Sequence, residues 1–381
     1  MVVPESRQLV GANMLRRLFI DNFKCLSNFE LRPAGACCLV GANASGKSAV
    51  LGALRNLQSV LHGIAVGEST AFPALSRTRW DPRTLQRIEL EVVEGGVSIG
   101  YELVIRHDQD GRSTVVQREA VSASGQPVYE NLEGTIRLYG DDGKATNEFP
   151  ADARRSFLSI LESSKANKTL LAFKAWIARM WLFALRPSEI QGQALAEDLA
   201  LNTEGLNYAP WYRSLAQERP GALEALRKDA AQFMPGLQNL RFLRFSQDHR
   251  VLVADFMAGE KPYILGLEEL SEGQRSLLVL HTILHAVAPF ASLVFFDEPD
   301  NFVARWEIQP WLAAVRTAME GRGNLLVISH HPEVIDYLAP DQLLFLQRDG
   351  EGPTRMRTLE MNRESGIRAS ERVLDEAFSA G

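Results

Sequence analysis

The sequence predicts an α/β fold in which a parallel sheet is interrupted by an antiparallel β arm and a helical insertion. Three observations predict it. Apolar strand-like runs that end in polar loops lie toward both ends of the chain: Cys37–Val40, Leu293–Phe296 and Asn324–Ile328. Residues 88–139 alternate apolar and polar side chains between Gly-containing turns, the period of antiparallel strands. Residues 151–234 take a helical period instead. The expected division is 1–150 for the first part of the α/β domain with its β arm, 151–236 for the helical insertion, and 237–381 for the return to the α/β domain.

The elements follow in order. Leu15–Phe23 reads as a first strand, and the run FELRPAG as a second, antiparallel one ending at a turn. Cys37–Val40 delivers the run Gly41-Ala42-Asn43-Ala44-Ser45-Gly46-Lys47-Ser48, which matches G-x-x-x-x-G-K-[ST]. Its glycines let backbone N–H groups turn inward around phosphates, Lys47 reaches the outer phosphates, and the Ser48 hydroxyl is placed for Mg²⁺. Ala49 continues into a helix reaching about His62, whose N-terminal dipole favours the anion. The stretch STAFPALSRTRWDPRT, with Pro73 and Pro82, reads as a surface loop. The runs RRSFLSILESS and NKTLLAFKAWIARMWLFAL read as helices, as does a later one from Pro220 that stops before Pro235-Gly236.

With 46% hydrophobic and 23% charged residues in 381, the chain has the composition of a globular protein and not of a disordered one. The net charge of −6 excludes a global basic footprint for nucleic acid and leaves only a local one open. Arg77, Arg79, Arg83 and Arg87, or Arg154, Arg155, Lys165, Lys168 and Lys174, supply such a surface, or are simply solvated faces. Three cysteines, two of them adjacent, make no disulfide framework and fit a reducing cytoplasm. The first fourteen residues lack the pattern of a secretory leader. The apolar run Ser276–Phe296 contains His281, His285 and Pro289, so it reads as a buried helix and strand, and no membrane association is expected.

Three further motifs carry chemistry. Leu293–Phe296 delivers Asp297 and Glu298 to the C-terminal end of a strand, where α/β sheets bind ligands. Asp297 is the candidate Mg²⁺ ligand and Glu298 the candidate base that polarises a water. Ser271-Glu272-Gly273-Gln274 opens a helix, either as an anion-binding N-terminus or as an ordinary cap. Asn324–Ile328 ends at Ser329-His330-His331-Pro332, where His330 is placed to meet a terminal phosphate and Pro332 starts the next helix. His281 and His285 are four apart, but residue 282 is Thr, so the metalloprotease pattern fails and they read as ordinary histidines.

Taken together, the phosphate loop, LSEGQ, LVFFDEP and LLVISHHP resemble the ABC-type ATPase head, and more narrowly the SMC/RecF-like and OLD-like AAA-family ATPases. The resemblance implies a P-loop NTPase head of ABC type that uses ATP and Mg²⁺. It implies that two heads pair head-to-tail, so that Ser271, Gly273 and Gln274 close on ATP held by a second copy. It places Asp300-Asn301 at that interface, His330 as the switch histidine, and Lys24 near the nucleotide. It further implies a separate effector, a nuclease or toxin, and a DNA-related or anti-phage defence role, with DNA itself a candidate partner. The chain departs from the pattern at Glu272, where glycine is usual, and in DNFVAR after Glu298 and Pro299. The Q-loop glutamine is not placed, Gln117 and Gln126 being nominal candidates. Only about 50 residues follow His330, too few for a Toprim nuclease domain. Two alternatives stay open, an ATPase subunit of a membrane transporter and a scaffold whose ATP binding only drives assembly. The separation of 224 positions from Lys47 to Ser271 argues against the compact transporter head.

Overall fold

The computed structural model describes residues 13–140, 143–161, 168–246, 248–348, 350, 352–361 and 367–379. Asp141, Asp142 and the cation Lys165 lie outside the described residues. The chain opens with strands β1 (Met14–Asp21), β2 (Phe29–Leu31) and β3 (Ala36–Val40), then helix α1 (Lys47–Leu61). Strands β4 (Leu85–Glu94), β5 (Val97–His107), β6 (Thr114–Ala123), β7 (Gln126–Leu132), β8 (Thr135–Tyr139) and β9 (Ala145–Pro150) follow. Next come α2 (Lys168–Ala178), β10 (Met180–Phe183), β11 (Gln193–Ala194), α3 (Tyr208–Glu218) and α4 (Pro220–Phe233). Strands β12 (Leu237–Arg244), β13 (Arg250–Ala258) and β14 (Lys261–Gly266) lead into α5 (Glu272–Ala286). The last part alternates: β15 (Leu293–Asp297), α6 (Arg305–Met319), β16 (Asn324–Ile328), α7 (Pro332–Leu338), β17 (Leu343–Arg348), β18 (Thr354–Thr358) and α8 (Ala369–Ser379).

The central sheet runs β10-β15-β16-β3-β17-β18, parallel except for β18. Its strands are near-continuous apolar runs because helices and the β arm cover both faces. Side chains alternate between those faces, so each strand feeds two cores. Val294, Phe296, Leu325, Val327 and Cys38 enter one core, and Leu293, Phe295, Leu326, Ile328 and Cys37 the other. The adjacent cysteines therefore point to opposite faces, and burial pushes both thiols far above their usual pKa. A second sheet, β2-β1-β4-β5-β6-β7-β8-β9, is antiparallel throughout and is the expected β arm. In the third, β13 carries β12 on one side and the short β11 and β14 on the other.

The segment after residue 150 differs from the expectation in two places. RRSFLSILESS forms only a short 3₁₀ turn at Phe157–Ser159 among its described residues. In the second run the helix ends at Ala178, and Met180–Phe183 becomes the edge strand of the central sheet beside β15. A four-residue apolar run has no period of its own, and the open edge of β15 decides its conformation. The segment therefore does not simply leave the α/β domain; it returns a strand to it.

Asn324 ties the two main sheets together. It is fully buried, its Oδ1 accepts from the Leu15 N–H at 2.7 Å, and its Nδ2 donates to the Ala34 carbonyl at 2.7 Å. Neighbouring Gly323 leaves no room for a side chain, since a Cβ there would lie 2.5 Å from the Ser292 carbonyl oxygen. Replacing Asn324 by Ala should leave both backbone groups buried without partners, at about 1–3 kcal/mol for each. Urea unfolding should show this loss, and an unchanged midpoint would contradict the assigned role.

Candidate functional site

The central sheet order sets the site. β3 lies between β16 and β17, and β16 lies beside β15, so the C-terminal ends of β3, β16 and β15 are adjacent. Asp297 pairs with Ile328, and Ile328 with Leu39. Three loops, the first far along the chain from the other two, thus open into one crevice, the usual ligand position of an open α/β sheet.

The loop after β3 has a backbone that only particular residues allow. Gly41 takes φ 149°, and a Cβ there would meet the Leu346 carbonyl oxygen at 2.1 Å. Gly46 takes φ 103°, and a Cβ would meet Thr354 Oγ1 at 2.5 Å. Ala44 also has a positive φ, 61°. Gly46 caps α1 without a side-chain bond, which leaves the positive end of the helix dipole to an anion, although the Ala49 N–H already donates to the Gly46 carbonyl at 3.0 Å. The Lys47 ammonium is curled back onto the carbonyl oxygens of Gly41 (2.8 Å) and Ala42 (2.9 Å). Burial lowers its pKa, while Glu298 and Asp297 oppose that shift. Ser45 Oγ is buried with no hydrogen-bond partner.

The acidic pair faces this loop. Asp297 accepts a hydrogen bond from Ser48, and burial together with Glu298 raises its carboxyl above the usual range. Glu298 sits at φ 50°, a conformation that costs a non-glycine residue of order 1–3 kcal/mol. The kink holds its N–H on the Ile328 carbonyl at 2.9 Å and its Oε1 3.6 Å from His330 Nε2. Asn301 Nδ2 donates to the other carboxylate oxygen at 2.8 Å. Burial and the Lys47 charge lower the pKa of His330, which leaves the ring neutral at neutral pH. Ser48 and Asp297 are an all-oxygen pair of the kind Mg²⁺ prefers, and the raised Asp297 carboxyl marks negative charge still to be neutralised. The residues present therefore fit that ion.

A cleft of about 470 Å³ collects most of these groups, though Asp297 is not among its lining residues. Asn43, Ala44, Ser45, Gly46, Lys47, Ser48 and Ala49 line one side, and Glu298 and His330 another. Lys24 lines it too, from a φ of 50° at the end of β1, with its N–H held by the Ser76 carbonyl at 2.6 Å. The remaining wall was not read from the sequence: Cys25, Leu75, Arg77, Arg79, Trp80 and Arg348. The only available signal was the basic and aromatic run RTRW, which reads equally well as a solvated loop. Arg348 gave none; its guanidinium lies over Trp80, 5.4 Å from the ring centroid. Arg83 and Arg87, taken with these arginines as one basic cluster, are instead paired with Asp21 and Asp81 and with Glu89 and Glu102. Gln117 and Gln126 lie on β6 and β7, outside the cleft lining.

Ser271, Gly273 and Gln274 are not part of this cleft within the chain. Ser271 and Gln274 close a reciprocal capping box, each side chain accepting from the other's backbone N–H, at 3.2 and 3.0 Å. Gly273 is pressed against the segment after Glu298, where a Cβ would meet the Phe302 carbonyl oxygen at 2.6 Å. Asp300, expected at a contact surface, is buried and hydrogen-bonded with Ser329, so only Asn301 and Phe302 face outward there. His331 caps α7 by accepting from the Glu333 N–H.

Comparison with known proteins agrees with this geometry. Residues 37–189 match the family model described as "AAA domain, putative AbiEii toxin, Type IV TA system". The structure resembles an SMC head bound to the C-terminal winged-helix domain of ScpA, with TM-score 0.57 and 14% identity, covering 93% of this chain and 100% of that one. It also resembles an SMC head with an extended coiled coil bound to the C-terminal domain of ScpA from Pyrococcus furiosus, with TM-score 0.52 and 14% identity, covering 95% and 99%. No curated protein matches the sequence. The chain thus has the fold of the SMC head domains. Among the described residues, no helix is long and apolar enough to cross a membrane.

The charge balance predicts a pH effect. Because the folded pKa of Asp297 is raised, its ionised form costs stability at neutral pH, and the cost fades as pH falls through that pKa. In the absence of nucleotide and Mg²⁺, Asp297→Asn should raise the melting temperature at pH 7, with the gain shrinking in acid. A lower melting temperature at pH 7 would contradict this reading.

Proposed function

We propose that the chain binds and hydrolyses ATP with Mg²⁺ and that two copies close head-to-tail around the nucleotide. One observation carries this: Lys47, Ser48, Asp297, Glu298 and His330 converge at the ends of three adjacent strands, while Ser271, Gly273 and Gln274 stay outside their own chain's cleft. When ATP enters, the Lys47 ammonium leaves the Gly41 and Ala42 carbonyls for the outer phosphates, and the N–H groups of residues 43–49 cradle them. Ser48 and Asp297 would hold Mg²⁺, which would supply positive charge against that developing on the phosphates. Glu298 orients and deprotonates the attacking water, and the neutral His330 donates a hydrogen bond toward the terminal phosphate. Trp80 offers its exposed indole to the base.

The dimer reading has a second support. Phe302 and Trp306 are 60% and 77% exposed beside Gly273 and the first turn of α6, an apolar surface that a second copy would cover. We further propose that the closed pair serves a DNA-related or defence complex with a separate nuclease or toxin effector. The family model, whose description names a toxin system, supports that extension.

Glu298→Gln should retain ATP binding, lower turnover by about 10²-fold or more, and accumulate an ATP-dependent dimer in size-exclusion chromatography. Hydrolysis at the wild-type rate would remove Glu298 as the base. Trp80→Ala should weaken ATP binding by about 1–3 kcal/mol if the base stacks there. Unchanged affinity in fluorescence titration would place the base elsewhere.

A further inference from the structure

Away from the nucleotide cleft, α4 packs against α5, the helix that begins at Ser271. His281 and His285 lie four residues apart on α5, hence on one face. Asp229, near the end of α4, meets both. Its Oδ2 lies 3.0 Å from His281 Nδ1 and 2.7 Å from His285 Nε2. The three donor atoms all lie within 4.8 Å of one another. His281 is buried against the Phe233 ring, with centroids 4.7 Å apart, so its orientation is fixed by packing. Asp229 and His285 are only partly buried, which leaves one side open to water. The adjacent cation, Lys228, is turned to Glu224 at 3.0 Å.

We propose that Asp229, His281 and His285 form a site for a divalent transition metal of the zinc type, distinct from the Mg²⁺ position. Two imidazoles and a carboxylate suit Zn²⁺ or Co²⁺, whereas Mg²⁺ takes oxygen donors almost exclusively. A tetrahedral ion about 2 Å from each donor needs donors roughly 3.3 Å apart, so the Asp229 oxygen would draw back by about 0.3 Å from His281 and about 0.6 Å from His285. On binding, the proton on each ligating nitrogen moves to the other ring nitrogen, and the imidazoles stay neutral. Water fills the fourth position from the open side. The ion then bolts α4 to α5, about 15 Å along the helix from the exposed Ser271 cap.

The test is a Co²⁺ titration of the metal-stripped full-length chain, followed by the visible d–d bands. Wild type should bind one equivalent with tetrahedral or five-coordinate bands, and Zn²⁺ but not excess Mg²⁺ should displace it. Asp297→Asn, which alters the nucleotide cleft, should keep the bands. His285→Gln and Asp229→Asn should each weaken Co²⁺ binding at least tenfold while retaining the wild-type far-ultraviolet circular dichroism. Two outcomes would overturn the proposal. One is wild type without such bands. The other is bands that persist in both His285→Gln and Asp229→Asn, which would make the trio a plain hydrogen-bonded bridge.

Discussion

The parallel pairing of β3 with β16 is the constraint on which the rest of the molecule depends. Ala36 pairs with Leu325 and Leu39 with Ile328, so the chain must close a loop of almost three hundred residues before these strands can meet. The elements folded within that loop, among them β4–β9 of the arm and the helices, stabilise the closure by covering the two faces of the sheet. Asn324, at the start of β16, joins the pairing to the β arm through Leu15. Because parallel strands share one direction, their C-terminal ends fall on one edge, and the phosphate loop, the acidic pair and His330 share one crevice as a geometric consequence.

The crevice holds groups in states that are costly without a ligand. The Lys47 ammonium is buried on two carbonyl oxygens, Asp297 is pushed toward protonation, and Glu298 is fixed in a left-handed backbone conformation. Each is a local penalty that burial and the neighbouring strands over-determine. A polyphosphate with its cation answers the first two, since it supplies an anion for Lys47 and a cation for Asp297. The same surroundings favour the neutral form of His330, whose ring would, in the proposed reaction, donate to a phosphate oxygen.

Much of this was legible in the sequence, and where it was not, the reason is physical. The phosphate loop and the acidic pair are written in contiguous residues whose spacing carries its own mechanism, and the alternating period from residue 88 to 139 announced an antiparallel arm that is present as β4–β8. Met180–Phe183 was read as helix because a four-residue apolar run takes its conformation from the sheet edge it meets. Trp80 and Arg348 meet at the cleft mouth from distant parts of the chain, and no local pattern encodes that meeting. His281 and His285 carried no recognisable motif, because their partner Asp229 lies 52 and 56 residues earlier on another helix.

In the proposed dimer, one half of the site lies in the cleft of one copy and the other half, Ser271 to Gln274, comes from the second. The most direct measurement mixes inactive variants. Lys47→Ala removes the cleft half and Ser271→Arg the outward half. Each alone should lack ATPase activity. An equal mixture should recover about a quarter of the wild-type rate, the share of sites that combine two intact halves in a twofold dimer. If Ser271→Arg alone turns over like wild type, or the mixture gives only the mean of its two components, each chain completes its own site and the account fails.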